Sequence, residues 1–397
     1  MLNFEILETS VQDYIIENSG ANIPQLALKG SPFKKVKTAE LMQQIESKTK
    51  CKKKLPTWYQ TPHILYPNKL NIEQSSSEIT AAYKSHIVSG QTLLDLTGGF
   101  GVDSYYFSKT MHRVIHCEIN KTLSEIAAYN FSAMQVSKIK TKAKDGLSFL
   151  AQTSGFFDWI YLDPSRRDKT KKKCFLIEDC RPNILNNLEL FFSRSKNILI
   201  KLSPMLDIVA ALKILPNTKE VHIVAVKNEV KELLFNLEKG FVKEAEIKAI
   251  NLESSQRVFK FKISEEKTAT ISCLEPLNYL FEPNVSVLKS GGFKSIAQKF
   301  DLKKLAINTH LYTGSKILTD FPGIIYKIEK NLPYKKQEIK QLLSGLKANI
   351  KSRNFPKSVE EIKKSYNFKD GGEKYVFFTE TAQQRCALIC SKLSVGD

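Results

Sequence analysis

Apolar positions in the first 75 residues fall mostly at helical spacing. "TAELMQQIESK" (38–48) repeats them three and four apart and predicts a helix, whereas "KTKCKKKLPTW" and "TPHILYPNKL", broken by Pro56, Pro62 and Pro67, read as exposed connections. The run "SSSEITAAYKSHIV" opens with serines suited to capping and continues in a helical pattern up to a cluster of glycines. From about 92 to 263 the pattern changes to short apolar strands separated by amphipathic segments. Strands are expected at "TLLDLT", "RVIHCEI", "KIKTKAKD", "FDWIYLD", "NILIKLS" and "VHIVAV", with crossover helices such as "TLSEIAAYNFSAM" and "PMLDIVAALKIL" between them. This alternation predicts an α/β fold with a mostly parallel sheet wound on both faces. "EIKAINLE" and "RVFKFKISEE" alternate more regularly and suit an antiparallel edge. Beyond "EEKTATISCLEP" two small α+β modules follow. The second is read as helix, short strand, helix, a turn at Gly371 and Gly372, then strand.

A chain of 397 residues has room for more than one core. No apolar run reaches the roughly 18 residues of a membrane span, and the N-terminus "MLNFEILETS" carries acids where a signal peptide carries bases, so a cytoplasmic protein without a membrane partner is expected. The seven cysteines form no CxxC pair and no Cys/His cluster at zinc spacing. His112, His116 and Cys117 are close in sequence, but alternation along a strand separates their directions, so no metal site is expected. The formal charge of +19 changes the picture more: it suits a polyanionic partner such as nucleic acid. Lysine supplies most of it, which favours contacts to a phosphate backbone over base reading.

The candidate chemistry begins at "TLLDLTGGFGVDSYYFSK" (92–109), where a strand enters a glycine turn and a helix leaves it. Such a turn lets a ligand approach the backbone at a helix N-terminus. A dinucleotide site wants G-x-G-x-x-G/A; Gly99-Phe100-Gly101-Val102-Asp103-Ser104 ends in serine, and Asp103 would repel a pyrophosphate. A cationic ligand such as S-adenosylmethionine suits the acids better. Asp95 can organise the turn or face the positive methionyl end. Glu118, 23 residues on, is placed to accept two ribose hydroxyls. Asp145 can accept from the adenine amino group, with Gly146 keeping the loop close. Three acids in order, each at a strand's C-terminal end, lie where open sheets bind ligands.

"DLTGGFGVDS", "CEIN" and "AKDG" resemble the successive cofactor motifs of class I S-adenosylmethionine-dependent methyltransferases. The resemblance implies a Rossmann-like domain with a mostly parallel seven-stranded sheet and an antiparallel edge. It also implies that Asp95, Thr97, Gly98, Gly99, Phe100, Gly101, Asp103, Glu118, Ile119, Asp145 and Gly146 surround the cofactor. After the fourth strand comes "FDWIYLDPSRRDKTKKK". Base and amine N-methyltransferases carry here an acid or amide, two prolines and an aromatic residue. Asp163 and Pro164 match, Ser165 replaces the second proline, and Arg166 stands where a ring would stack. The resemblance makes Asp163, Pro164 and Arg166 the catalytic candidates, acting by alignment and desolvation of two reactants. A cysteine nucleophile of the uracil-C5 type is absent from "IKLSPMLD", which offers Lys201, Ser203 and Pro204 instead. Arg166, Arg167, Lys169, Lys171, Lys172 and Lys173 would set positive charge beside the reaction centre.

The whole arrangement is similar to a family of bacterial methyltransferases with ferredoxin-like and THUMP-like C-terminal modules. It is carried by "SSSEITAAYKS", "DLTGGFGVDS", "LDPSRRD", "FEPNVSVLKSGGF" and "IKSRNFPKSVEEIKKSYNFKDGGEKYVFFTE". The implied organisation is a helical region at 1–75, a methyltransferase domain at 76–268, a ferredoxin-like module at 275–326 and a THUMP-like module at 327–397. The implied substrate is a base nitrogen of RNA, tRNA or rRNA, with S-adenosylmethionine as cofactor and no obligate protein partner. A methyltransferase of proteins or small molecules would share the cofactor motifs. A non-catalytic RNA-binding protein on the same scaffold would keep only the RNA affinity.

Overall fold

The computed structural model describes residues 2–166 and 177–393, and of Arg166 the backbone. Arg167, Lys169, Lys171, Lys172, Lys173 and Cys174 lie outside the described residues. The chain forms two compact units, Met1–Lys219 with Leu234–Val242, and Glu220–Leu233 with Lys243–Asp397.

Helices dominate the first 85 residues. The helix expected at 38–48 runs on as Thr38–Lys54, and a further short helix, Pro56–Gln60, follows it. "KTKCKKKLPTW" is therefore helical rather than an exposed connection, because Cys51, Leu55 and Trp58 complete its apolar face and are fully buried. The Lys48 ammonium donates to the Tyr59 carbonyl at 3.0 Å. "TPHILYPNKL" is likewise not exposed: Ile64, Leu65 and Tyr66 are buried as an extended segment. Asn130 exchanges two hydrogen bonds with the Leu65 backbone, at 2.9 and 2.8 Å, and Gln44 does the same for Tyr66, at 2.9 and 2.7 Å. Amide side chains thus supply the partners that a buried, non-sheet backbone needs. The serine run behaves as expected, with Ser77 capping the helix Glu78–Ser85.

The larger sheet draws on strands β1 (Thr92–Asp95), β2 (Arg113–Cys117), β3 (Ile139–Lys142) and β4 (Phe157–Leu162). Two-residue strands β5 (Ser165–Arg166) and β6 (Cys180–Arg181) pair only with each other. Then come β7 (Ser195–Leu202), β8 (Thr218–Val226), β9 (Glu229–Glu238), β10 (Glu246–Leu252) and β11 (Phe259–Lys262). The strand order is β11-β10-β8-β9-β7-β4-β1-β2-β3. Pairing is parallel across β3-β2-β1-β4-β7 and between β8 and β10, and antiparallel between β10 and β11. The expected antiparallel edge is therefore present, in a sheet of nine strands rather than seven. Strand β9 follows β8 through Lys227 and Asn228, both at positive φ, the conformation that closes a tight hairpin.

The second sheet comprises β12 (Tyr279–Pro283), β13 (Lys303–Ala306), β14 (Thr309–Gly314), β15 (Gly323–Pro333), β16 (Asn349–Arg353), β17 (Lys374–Glu380) and β18 (Arg385–Lys392), ordered β13-β14-β12-β15-β18-β17-β16. Its pairs are antiparallel except β16 with β17. The helices Lys336–Leu343 and Val359–Tyr366 bury Ile339, Leu343, Ile362 and Tyr366 with Ile350, Val376 and Phe378 in one core. Among the described residues no helix is long and apolar enough to cross a membrane.

Candidate active site

Strands β3, β2, β1 and β4 run parallel and side by side, so the loops leaving β1, β2 and β4 emerge at one edge, where open sheets form their ligand crevice. Contacts tie these loops together. The Gly98 amide donates to the Cys117 carbonyl at 2.8 Å, and the Gly99 amide to Glu118 Oε2 at 2.9 Å. The Asp163 amide donates to Thr97 Oγ1 at 2.7 Å, fastening the loop after β4 to the glycine turn. Gly146 comes so close to the turn that a β-carbon there would lie 2.2 Å from the Leu96 carbonyl oxygen.

Local chemistry explains the turn. Gly99 and Gly101 have φ of 57° and 90°, which glycine alone adopts without strain. Gly98 lies on the ring of His116, where a β-carbon would come within 2.1 Å. Beneath, Ser104 Oγ donates to Asp95 Oδ2 at 2.6 Å and lies 3.1 Å from His116 Nδ1, while the Thr97 amide donates to Asp95 Oδ1 at 3.1 Å. Burial pushes Asp95 up to about 7 despite those two hydrogen bonds, and burial pushes His116 down to about 4. His116 is thus a buried neutral ring supporting the turn, with Cys117 on the opposite face of β2. Among the described residues no group of three or more His, Cys, Asp or Glu could hold a metal ion.

The other candidates divide by position. Glu118 accepts from the Gly99 amide on one oxygen and from the Asn120 amide, at 2.7 Å, on the other. Next to it Ile119 is 73% exposed, an apolar surface beside the acid. Asp145 caps the helix Gly146–Gln152 through Ser148. Asp103 is buried away from solvent: it receives Ser76 Oγ and Tyr161 Oη, each at 2.8 Å, and pairs with Lys84 at 3.2 Å. Burial would raise its carboxyl, but Lys84 and Lys201, together with the hydrogen bonds from Ser76 and Tyr161, hold it below the ordinary value. The Phe100 ring packs on Trp58 in the core under the N-terminal helices, so only its backbone belongs to the turn.

In the loop after β4, Asp163 is partly exposed, and its Oδ2 is ion-paired with Lys201 from the end of β7. Oδ1 has no partner among the described residues. Lys201 was not among the site residues expected from sequence, and no motif marks it: its partner is 38 positions away and the chain has 60 basic residues. The backbone of Ser165 and Arg166 pairs with Cys180 and Arg181, bracing the loop on its far side.

An S-adenosylmethionine molecule fits this donor and acceptor set. The turn presents backbone that side chains would obstruct, Glu118 offers a carboxylate beside the exposed Ile119, Asp145 offers another after β3, and buried Asp95 lies under the glycines. Residues 279–322 match a family of ferredoxin-like domains and residues 323–392 a family of THUMP-like domains. The chain is similar, at 30% identity and a TM-score of 0.90, to the crystal structure of a "putative methyltransferase" from Porphyromonas gingivalis W83, over 98% of each chain. Two proteins of the same description match more narrowly. The Escherichia coli protein yhhF matches 44% of this chain and 91% of its own, at 15% identity and a TM-score of 0.32. SMU.1697c of Streptococcus mutans, in complex with SAH, matches 41% and 96%, at 10% and 0.30. No curated protein matches the sequence.

Proposed function

Because the chain belongs to the family of methyltransferases that carry ferredoxin-like and THUMP-like C-terminal modules, we propose that it methylates a base nitrogen of RNA, in tRNA or rRNA, with S-adenosylmethionine as donor. The observation that carries this reading is the joint at Asp163: its amide is fixed to the glycine turn through Thr97, and its carboxylate is held by Lys201 with one oxygen left over.

The glycine turn from Thr97 to Gly101, with Asp95 beneath it, would hold the methionyl end, Glu118 the ribose, and Asp145 with Ile119 the adenine. When bound, the cofactor supplies an electrophilic methyl group on a sulfonium. Asp163 Oδ1 accepts a hydrogen bond from the substrate amine and aims the nitrogen lone pair, and can take the proton the nitrogen loses. Lys201, paired with the other oxygen of the same carboxylate, fixes its rotamer. The residues thus act by positioning, with no covalent intermediate. Pro164 stiffens the loop, and an arginine at position 166 is of the residue type that clasps a phosphate or stacks on a base. The RNA assignment rests on the charge of +19 and on the module matched as THUMP-like.

The test is transfer of labelled methyl from S-adenosylmethionine to total RNA from a strain lacking the protein, followed by nucleoside analysis. One methylated nucleoside is expected. Asp163→Ala should bind the cofactor as the wild type does and lose about 100-fold or more in transfer rate. Wild-type transfer by that variant overturns the role of Asp163. Cofactor binding without incorporation into RNA overturns the substrate and leaves proteins, small molecules or a scaffold that only binds.

A further inference from the structure

We infer that Lys138, Lys140, Lys142 and Lys144 form a track along the edge strand β3 that carries a single-stranded RNA backbone to the mouth of the cofactor site. The inference rests on the reading of the substrate as RNA and names the surface that delivers it.

In "SKIKTKAKD" every second residue is lysine; β3 (Ile139–Lys142) puts Lys140 and Lys142 on one strand face, and Lys138 and Lys144 flank it in the bends at either end. The intervening Ile139 and Thr141 face the helix Lys121–Ala133, lining a pocket with Phe131 and Gln135. Lys140 and Lys142 lie in register with Ile115 and Cys117 of β2, on the other face of the sheet. Successive members of a row on one strand face are about 6.6 Å apart, a repeat suited to one backbone phosphate per lysine. The strand ends the sheet order, so the row is open on its outer side.

All four lysines are exposed. No ion pair engages Lys138, Lys140 or Lys142 among the described residues, although the protein pairs many of its other lysines. Among the described residues the Lys144 ammonium bonds only the neutral Gln152. The adjacent helix Gly146–Gln152, "GLSFLAQ", carries no acid. Lysine on an edge strand also discourages edge-to-edge pairing, and one or two residues suffice for that. Here a further lysine follows the strand: the Lys144 amide donates to the Lys142 carbonyl at 2.8 Å in a bend beside Asp145. At the same end the Lys142 carbonyl accepts from the Glu118 amide at 3.0 Å, so the positive row stops at two of the acids assigned to the cofactor. A positive strip that follows the backbone without reading bases is how single strands are held in sequence-tolerant grooves.

The test is fluorescence anisotropy of a fluorescein-labelled 12-nucleotide oligouridine with the full chain, between about 50 and 200 mM KCl. Three proteins are compared: the wild type, the K138Q/K140Q/K142Q variant, and a K29Q/K52Q/K53Q variant that removes the same charge from exposed lysines of the N-terminal helices. Cofactor binding by each confirms that it is folded. The row variant should bind about tenfold more weakly at the lowest salt. Its slope of log affinity against log salt should flatten by about 2, the loss of three single-strand phosphate contacts at roughly 0.7 each. The control should stay within about twofold of wild type. Equal losses in both variants, or no loss in the row variant, overturn the track while leaving the RNA reading in place. A wild type without salt-dependent affinity for the oligonucleotide overturns both, with cofactor binding unaffected.

Discussion

Asp95 shows how burial tunes a single side chain. It is 1% exposed, and its burial raises the carboxyl to about 7 against the pull of Ser104 and the Thr97 amide, with the charges of Asp103 and Asp163 adding to the rise. The folded pKa lies above the ordinary value of 3.8, so the native state holds its proton longer than the unfolded chain does. The associated stability is fully present below about 4 and is lost as pH rises through about 7. A cationic ligand reverses that preference, because it interacts best with the ionised carboxylate. Affinity for S-adenosylmethionine should therefore increase as pH rises through about 7, and titration calorimetry of Asp95→Asn should show that increase abolished. An unchanged pH dependence in Asp95→Asn would place the titrating group elsewhere.

At the level of elements, the unit strand–turn–helix from β1 through Val102–Thr110 is held by two glycines that differ in what they face. A methyl group at Gly98 would strike the His116 ring, whereas one at Gly146 would strike the backbone of Leu96. Gly98→Ala should cost about 2 kcal/mol by overpacking, and His116→Ala about as much through the cavity it opens. The double variant should cost clearly less than their sum, since each change relieves the other. Urea unfolding of the three variants gives the coupling; strict additivity would mean that the ring does not support the turn. Gly146→Ala has no such partner to trim. The same elements show what sequence reveals. Short apolar strands ending in acids were legible because local alternation and the order of Asp95, Glu118 and Asp145 carry the information. Strand β9 was not: Val230, Leu233, Leu234 and Leu237 fall at helical spacing, and only burial from Glu232 to Leu237 makes the run a central strand. The lysine-rich end of the helix Thr38–Lys54 read as a connection for a related reason. Its few apolar positions become a buried face only against Trp58 and the chain around Tyr66. Lys201 is the long-range case, a partner defined by topology alone.

For the whole molecule the deciding quantity is how affinity depends on salt. The net charge of +19 acts on any polyanion, while the proposed cofactor is a small ligand that carboxylates, backbone and an apolar patch would hold. If RNA is the substrate, six to ten phosphate contacts would weaken its binding by roughly 10³- to 10⁵-fold between 50 and 200 mM salt on duplex, and somewhat less on single strands. Cofactor affinity over the same range should change by no more than about twofold, because no comparable counterion release accompanies it. Measuring both affinities on one preparation therefore separates the substrate classes before the target nucleotide is identified. A steep RNA slope beside a flat cofactor slope is the expected outcome. Two flat slopes would assign the excess lysine to solubility alone and turn the search for an acceptor to small molecules. A steep slope for RNA with no transfer under any salt would mean that the family scaffold has kept its grip on RNA and lost its chemistry, and the departure at Ser165 and Arg166 would then be the place to look for the cause.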